Sequence, residues 1–506
     1  MVIHMFAAID VGSYELGMKI FEVSRSRGIR EIDHVVRRID LGTDTYTDGK
    51  LSLRHVQDVR DVLREYKSIM DSYRVEDYKA YGTSAIREMT NASIILSQWE
   101  EQTGIRVEVL SNSEQRFLDY KSVAYRGEVF DRMVKEGCAI VDIGGSSIQI
   151  SLFENGTLRS TENMRIGVLR LREQISHIDI RNSQVARAVQ EIVNSQLLIF
   201  TDLYLHAKKI RNIVVIDDYI SALMESRGLE TVEVPQLQET SAKLIDRSGS
   251  ELARDLQMTE DNLELLRISS IMIQCIITAF GAEVIYAPGV TLADGIVYEY
   301  AERRRLLPSA HNFEEDILSA ARAIAAHYHG NEKRGRSLDT ISTKIFDATK
   351  KIHGLGKREC LLLRLACILH DCGKYVNIAN AADCSYNIIM RTEIIGLSHI
   401  EREIVANVVY YNHTDFVYFE EQEEASDLNR EAYLTLTKLT AILKLANGMD
   451  RTHKGKFDEL RVSVRDDKMI INVKSGVDLS LERALFKDRA DFFAEIFGIT
   501  PVIRQK

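Results

Sequence analysis

Two short stretches have the composition of a turn that grips phosphate. Asp10-Val11-Gly12-Ser13 follows the apolar run Phe6–Ile9, and Asp142-Ile143-Gly144-Gly145-Ser146 follows Cys138–Val141. In such a turn the backbone N–H groups converge on an anion, glycine lets the backbone approach, and the hydroxyl adds a donor. The aspartate can hold a hydrated magnesium ion that bridges to phosphate oxygens. Either turn alone reads equally well as a surface hairpin with turn-forming aspartates. Two of them facing across a cleft would hold one phosphoryl group from both sides.

Each turn needs a hairpin to present it. Leu16–Val23 supplies the return strand of the first, and the alternating Ile148–Phe153 that of the second. Aspartate, glycine and flanking apolar strands recur at domain-length separation, which predicts two related halves. Between them lie a helical pattern over Val56–Met70, a short strand over Tyr78–Tyr81 and a helix start at Thr83. A strand over Ile105–Leu110 follows, then a helix capped by Ser113 with Glu114 in its first turn. From about Asn312 long helical patterns take over, with His329, His370-Asp371, His399 and His413 among them. Strands return at Leu460–Val464 and Met469–Val473, joined by Asp466-Asp467-Lys468 and followed by the amphipathic Leu481–Phe497. Tyr300–Pro308 marks the boundary between the α/β and helical parts.

Composition narrows the class. A chain of 506 residues with 45% hydrophobic and 28% charged residues is globular, built as several domains. Lys+Arg 65 against Asp+Glu 75 gives a net charge of −10, so no nucleic-acid coat is expected and any polyanion must meet local basic patches. The runs Arg303-Arg304-Arg305 and Lys208-Lys209-Ile210-Arg211 could guide an anion, though a solvated face explains them as well. Six cysteines without a C-x-x-C pair, and no basic-then-apolar start over Met1–Asp10, fit a reducing cytoplasm. The apolar Ile271–Phe280 is too short to span a bilayer and reads as a buried helix, so no membrane is expected.

Four motifs together carry a resemblance. They are Ala8-Ile9-Asp10-Val11-Gly12-Ser13, Gly82-Thr83-Ser84-Ala85-Ile86-Arg87-Glu88, Ser111-Asn112-Ser113-Glu114 and Val141-Asp142-Ile143-Gly144-Gly145. In order and spacing the set resembles the exopolyphosphatase/guanosine pentaphosphate phosphatase family of the actin-like ATPase superfamily. Ile166–Leu171 and Gly289–Gly295 extend the likeness to about residue 300, and His370-Asp371-Cys372-Gly373-Lys374 resembles the helical HD-type domain of longer members. The resemblance implies an α/β fold of two actin-like, ribonuclease-H-like lobes over 1–125 and 126–305. An all-helical HD-like domain over 306–455 and a small α+β unit over 456–506 would follow. It implies removal of terminal phosphate from inorganic polyphosphate, or of the 5′ phosphate from guanosine pentaphosphate, with Mg2+. Glu114 is then the general base on the attacking water, with Gln149 beside it. Gly12, Ser13, Ser84, Arg87, Gly144, Gly145 and Ser146 bind phosphate, and Asp10 and Asp142 orient the metal. Pairing into a homodimer is also implied. A positioned water, a base and charge neutralisation are what such hydrolysis requires.

The chain departs from the family pattern in three places. Tyr14-Glu15 stand where typical members have Asn-Ser after the first loop, and a glutamate there repels phosphate unless it faces away or binds metal. Gln149 replaces a glutamate; it can hydrogen-bond water but cannot take a proton. Val215-Ile216-Asp217-Asp218-Tyr219 replaces a glycine-rich turn, and two carboxylates there would oppose a polyanion. These departures favour the alternative of a weakly active or non-catalytic regulator binding polyphosphate or an alarmone. A sugar kinase is the remaining actin-like option, but it needs a nucleotide-binding glycine turn in the second lobe. The possible HD site holds His370 and Asp371, with Arg334 near the upstream ligand position and Asn447 at the downstream one, which reads as degenerate.

Overall fold

Strand β1 (His4–Val11) pairs antiparallel with β2 (Glu15–Ser24) in continuous register from His4–Val23 to Val11–Leu16. In this computed structural model, which describes residues 2–176, 178, 182–206, 208–239, 259–309, 311–419, 428–449, 454–457, 459–474 and 478–505, β1 is covered on both faces. Ala7, Ile9 and Val11 face a core with Leu63, Tyr66 and Trp99. Phe6 and Ala8 face the opposite core with Leu118, Ile296 and Val297. Burial on both sides is why this strand reads as a continuous apolar run rather than an alternation. Each fully buried aromatic or aliphatic side chain contributes roughly 1.5–3 kcal/mol.

The chain divides into two units, Met1–Asn312 and Phe313–Lys506. In the first, β3 (Gly28–Arg38), β4 (Asp77–Gly82) and β5 (Val107–Val109) complete a five-stranded sheet of order β3-β2-β1-β4-β5. A second sheet holds β6 (Cys138–Ile143), β7 (Ile148–Glu154), β8 (Thr157–Met164), β9 (Asn212–Ile216), β10 (Thr231–Glu233) and β11 (Val284–Tyr286). Its order is β10-β11-β9-β6-β7-β8. Read from β8 to β11 it repeats the first sheet: an antiparallel triplet, then strands parallel to its innermost member. β10 is an added antiparallel edge. The first unit thus carries the same strand arrangement twice, and each sheet with its helices is called a lobe below.

Several elements differ from expectation. The helix after β5 spans Asn112–Ala124 and its N-cap is Ser111, not Ser113. Ser113 is buried inside the first turn. The apolar helix begins well before Ile271, at Glu260, and ends at Phe280 with Gly281 as a left-handed cap. Its Asn262–Phe280 stretch is long and apolar enough to cross a membrane, yet 72% of the most apolar window is buried within the protein.

The second unit is helical over Phe313–His327, Glu332–His353, Lys357–Leu369, Ala381–Arg391, His399–Tyr411 and Arg430–Met449. β12 (Arg461–Arg465) and β13 (Lys468–Val473) form the expected hairpin, and the helix Ser480–Phe497 follows. A further strand, β14 (Thr500–Gln505), lies parallel to β13.

Candidate active site

The two glycine loops are built alike. Gly12 N–H donates to Glu15 O at 3.0 Å, and Gly144 N–H donates to Ser147 O at 3.0 Å. The carbonyls of each loop then receive the start of a helix. Gly42 N–H reaches Ser13 O at 2.7 Å, at the head of the helix Leu41–Asp48. Leu169 and Arg170 N–H both reach Gly145 O, at 2.9 and 3.0 Å, at the head of the helix Val168–Ser176. With the carbonyls turned to the helices, the N–H groups of Ser13, Gly145 and Ser146 have no acceptor among the described residues. That leaves a set of backbone donors suited to an anion.

The loop tips meet. A Cβ on Gly145 would lie 3.4 Å from Ser13 Cβ and 2.8 Å from Leu169 Cδ1. A Cβ on Gly167 would lie 2.4 Å from the backbone of Gly145 and Ser146, so only glycine permits that approach. Ser13, Gly12, Gly144, Gly145 and Ser146 therefore share one neighbourhood.

Glu114 occupies the third position of its helix and closes a capping box. Its Oε2 accepts from Ser111 N–H at 3.0 Å and Ser111 Oγ–H at 2.7 Å, while Ser111 Oγ accepts from Glu114 N–H at 3.2 Å. Among the described residues Oε1 has no hydrogen-bond donor. Two residues on, buried Arg116 donates from Nε to Gln149 Oε1 at 3.0 Å. Gln149 donates from Nε2 to Asp142 Oδ2 at 3.2 Å, its cross-strand partner in the β6–β7 pair. Glu114's helix is thereby joined to the strand leading into the second loop. Asp10 stands at the corresponding place in β1, in register with Gly17 and Tyr81.

Ser84 joins the first loop directly: its Oγ is 2.7 Å from Ser13 Oγ. Tyr46, which nothing in the sequence marked, is 2.7 Å from Ser13 Oγ and 3.1 Å from Ser84 Oγ. Arg87 donates from Nη1 to Leu110 O at 2.6 Å, tying its helix to the end of β5. Arg170, inside the Ile166–Leu171 motif but without an assigned role, donates from Nε to Ser146 O and from Nη2 to both oxygens of Glu88.

The departures take definite places. Glu15 opens β2 opposite Arg38 of β3. The Asp217 carboxylate has partners within the lobe on both oxygens. One oxygen caps the helix Asp218–Glu225 through Ile220 N–H, and the other accepts from Ser269 Oγ–H at 2.8 Å. The basic runs are partly neutralised, by Arg303–Glu299, Arg304–Asp77, Lys208–Glu154 and Arg211–Glu283 pairs.

In the second unit His370 is buried and hydrogen-bonded through Nδ1 to Cys367 O at 2.9 Å, and burial pushes its imidazole down to about 4. Asp371 Oδ2 lies 3.7 Å from His370 Nε2 and from Lys374 Nζ. Arg334 donates to Asn447 Oδ1, and Asn447 Nδ2 donates to Asn412 Oδ1 at 3.0 Å. The two positions that depart from the HD pattern thus hydrogen-bond each other. Among the described residues no three His, Cys, Asp or Glu side chains converge on a metal position, in either unit.

Two family models match the chain: the Ppx/GppA phosphatase family over residues 20–304, and Ppx/GppA phosphatase, domain III, over residues 318–489. Among curated relatives, a guanosine-5′-triphosphate,3′-diphosphate pyrophosphatase of Photobacterium profundum is 20% identical over 485 residues, covering 93% of this chain and 92% of that one. Its counterpart in Aeromonas hydrophila is 22% identical over 483 residues, 93% of each. Among solved structures, a Ppx/GppA member from Aquifex aeolicus aligns with TM-score 0.51 and 21% identity, over 60% of this chain and 99% of that one. An exopolyphosphatase from Cytophaga hutchinsonii aligns with TM-score 0.53 and 16% identity, over 59% and 98%. These similarities define a hydrolase of phosphoric anhydrides on an actin-like frame. The chain belongs to the Ppx/GppA phosphatase family.

Proposed function

We propose that the chain releases terminal orthophosphate from inorganic polyphosphate, using a water activated by Glu114. The observation that carries this reading is the meeting of the two loop tips, Ser13 beside Gly145, with Glu114's helix tied to the second loop through Arg116 and Gln149. The free N–H groups of Ser13, Gly145 and Ser146 and the hydroxyls of Ser13 and Ser84 bind the terminal phosphoryl group. Glu114 Oε1 takes the proton of the attacking water while Oε2 stays on Ser111, which fixes the carboxylate's orientation. Gln149, held at both ends, orients but does not accept a proton. Asp10 and Asp142 are hard oxygen donors suited to hold magnesium through water, and the bound ion supplies charge neutralisation at the phosphate oxygens. An HD-derived origin for the helical unit, a cytoplasmic location and a homodimer belong to the same reading.

A second substrate is favoured by one observation. The relatives that align along 93% of the chain carry the pyrophosphatase name, whereas the exopolyphosphatase structure covers 59% of it. Guanosine pentaphosphate is therefore the competing substrate. Orthophosphate release from long-chain polyphosphate and from guanosine pentaphosphate, side by side with magnesium, ranks the two. Glu114→Gln should slow either by about a hundredfold or more. Full activity in Glu114→Gln removes Glu114 from the chemistry, and tight binding without turnover of either compound makes the protein a regulator.

A further inference from the structure

Three hydroxyls form a triangle at the first loop: Ser13 Oγ lies 2.7 Å from Tyr46 OH and 2.7 Å from Ser84 Oγ, and Tyr46 OH lies 3.1 Å from Ser84 Oγ. We propose that Tyr46 is a third phosphate-binding hydroxyl, and that Arg170 and Glu88 are the positioning residues that hold it at the loop. This rests on the reading that a terminal phosphoryl group sits between the loops.

A hydroxyl carries one proton and two lone pairs. In a closed triangle the three protons are spent on neighbouring hydroxyls. The deprotonated oxygens of an entering oxoanion only accept, so the triangle opens and its protons turn outward. Three donors, each within about 3 Å of the others, then face one tetrahedral group. Hydrogen bonds to a charged acceptor are stronger than those between neutral hydroxyls, which makes the exchange favourable.

Tyr46 reaches this point because its helix is pinned to the loop. Gly42 N–H donates to Ser13 O, Asp40 caps Thr43 N–H at 3.0 Å, and a Cβ on Gly42 would lie 2.9 Å from Tyr46 Cε2. The ring therefore lies over Gly42 with its hydroxyl at Ser13. Its face carries the Arg170 guanidinium, 4.7 Å from the ring centroid. The guanidinium's Nη2 donates to both Glu88 oxygens, at 3.0 and 2.8 Å, and its Nε donates to Ser146 O at 3.1 Å. Its charge is answered by Glu88, so it serves as a brace rather than a ligand. Ser146 belongs to the second loop and Glu88 ends the helix that starts at Ser84, so the brace ties the phenol to both halves of the phosphate site.

The test is calorimetric titration of inorganic phosphate and tripolyphosphate into the full chain, alongside orthophosphate release. Tyr46→Phe keeps the ring and its packing, so its melting temperature should match the wild type. We expect its Kd for both anions to rise about tenfold, a loss of about 1.4 kcal/mol, with KM rising more than kcat falls. Arg170→Met should weaken binding similarly, Arg170→Lys should recover part of it, and Tyr46→Phe/Arg170→Met should be no weaker than Tyr46→Phe alone. Wild-type binding and turnover with unchanged affinity in Tyr46→Phe overturns the inference and leaves the proposed function standing. Additive losses in the double variant overturn the positioning roles. A wild type that neither binds phosphate nor releases it overturns both.

Discussion

Arg116 and Gln149 are joined by an N–H···O hydrogen bond of 3.0 Å from Nε to Oε1, and this one contact fixes which way the Gln149 amide points. With its oxygen held, its nitrogen must face Asp142, and it does, at 3.2 Å. The neutral residue at this position is thus part of a relay from a buried cation to a carboxylate.

Restoring a glutamate at 149 would therefore not be a simple return to the family pattern. Gln149→Glu puts a second carboxylate oxygen where the amide donates to Asp142. Two carboxylates that close repel, and a shared proton or a divalent ion relieves the repulsion. Half-maximal orthophosphate release should then occur at a lower magnesium concentration than in the wild type. A magnesium titration of activity checks this, and an unmoved midpoint would show that Asp142 takes no part in holding the ion.

Glu114 has two jobs that can be separated. As the third residue of its helix it completes the capping box with Ser111, and in the proposed function its remaining oxygen is the base. Glutamine can close a capping box but cannot act as a base. Glu114→Gln should unfold at the wild-type denaturant concentration yet turn over at least about a hundredfold more slowly. Glu114→Ala should lose activity to the same degree and about 1 kcal/mol of stability besides. Equal stability in the two variants would mean the box contributes nothing.

The order of the loops and the hairpins behind them were legible because each motif is local: a glycine turn flanked by apolar strands folds as it reads. The cap was misread as Ser113 from its adjacency to Glu114, although the Ser-x-x-Glu spacing from Ser111 to Glu114 carries the true one. β3 was not legible, because much of this edge strand is only partly buried and its apolar residues do not alternate cleanly. The partner of Asp217, Ser269, could not be read because it is far along the chain. Tyr46 and Arg170 escape for the same reason. Nothing near them in sequence says that a phenol and a guanidinium from different lobes will stack.

Gly167 holds the second loop by what it lacks. Its neighbours at 2.4 Å are backbone atoms of Gly145 and Ser146, which cannot swing aside as a side chain would. Gly167→Ala must push that loop away from Ser13. It should destabilise the first unit by about 1–3 kcal/mol and raise KM for polyphosphate. Gly17→Ala, with open space around the added carbon, is the control and should leave the melting temperature in place. A Gly167→Ala variant with unchanged KM would mean that the loop's position is not set by this contact.

His353 gives the second unit a pH-dependent stability. The ring is buried with Nε2–H donating to Phe346 O at 2.9 Å and Nδ1 accepting from Leu355 N–H at 2.8 Å, so the neutral tautomer fits and a second proton does not. Burial lowers its pKa; the Phe346 carbonyl opposes that shift, and Lys438 and Lys350 reinforce it while Asp347 opposes it. In the unfolded chain the same histidine takes up a proton near the ordinary value of about 6.5. As pH falls below that value the unfolded state binds the proton first, so stability present at neutral pH is lost on acidification through the folded-state value. His370 and His413, also held down by burial, add to the trend. His353→Asn can keep the bond from Leu355 N–H but has nothing to titrate. The urea midpoint should therefore fall less steeply between pH 7 and 5 in His353→Asn than in the wild type. Parallel pH profiles would mean that His353 is protonated in the folded protein as readily as in the unfolded chain.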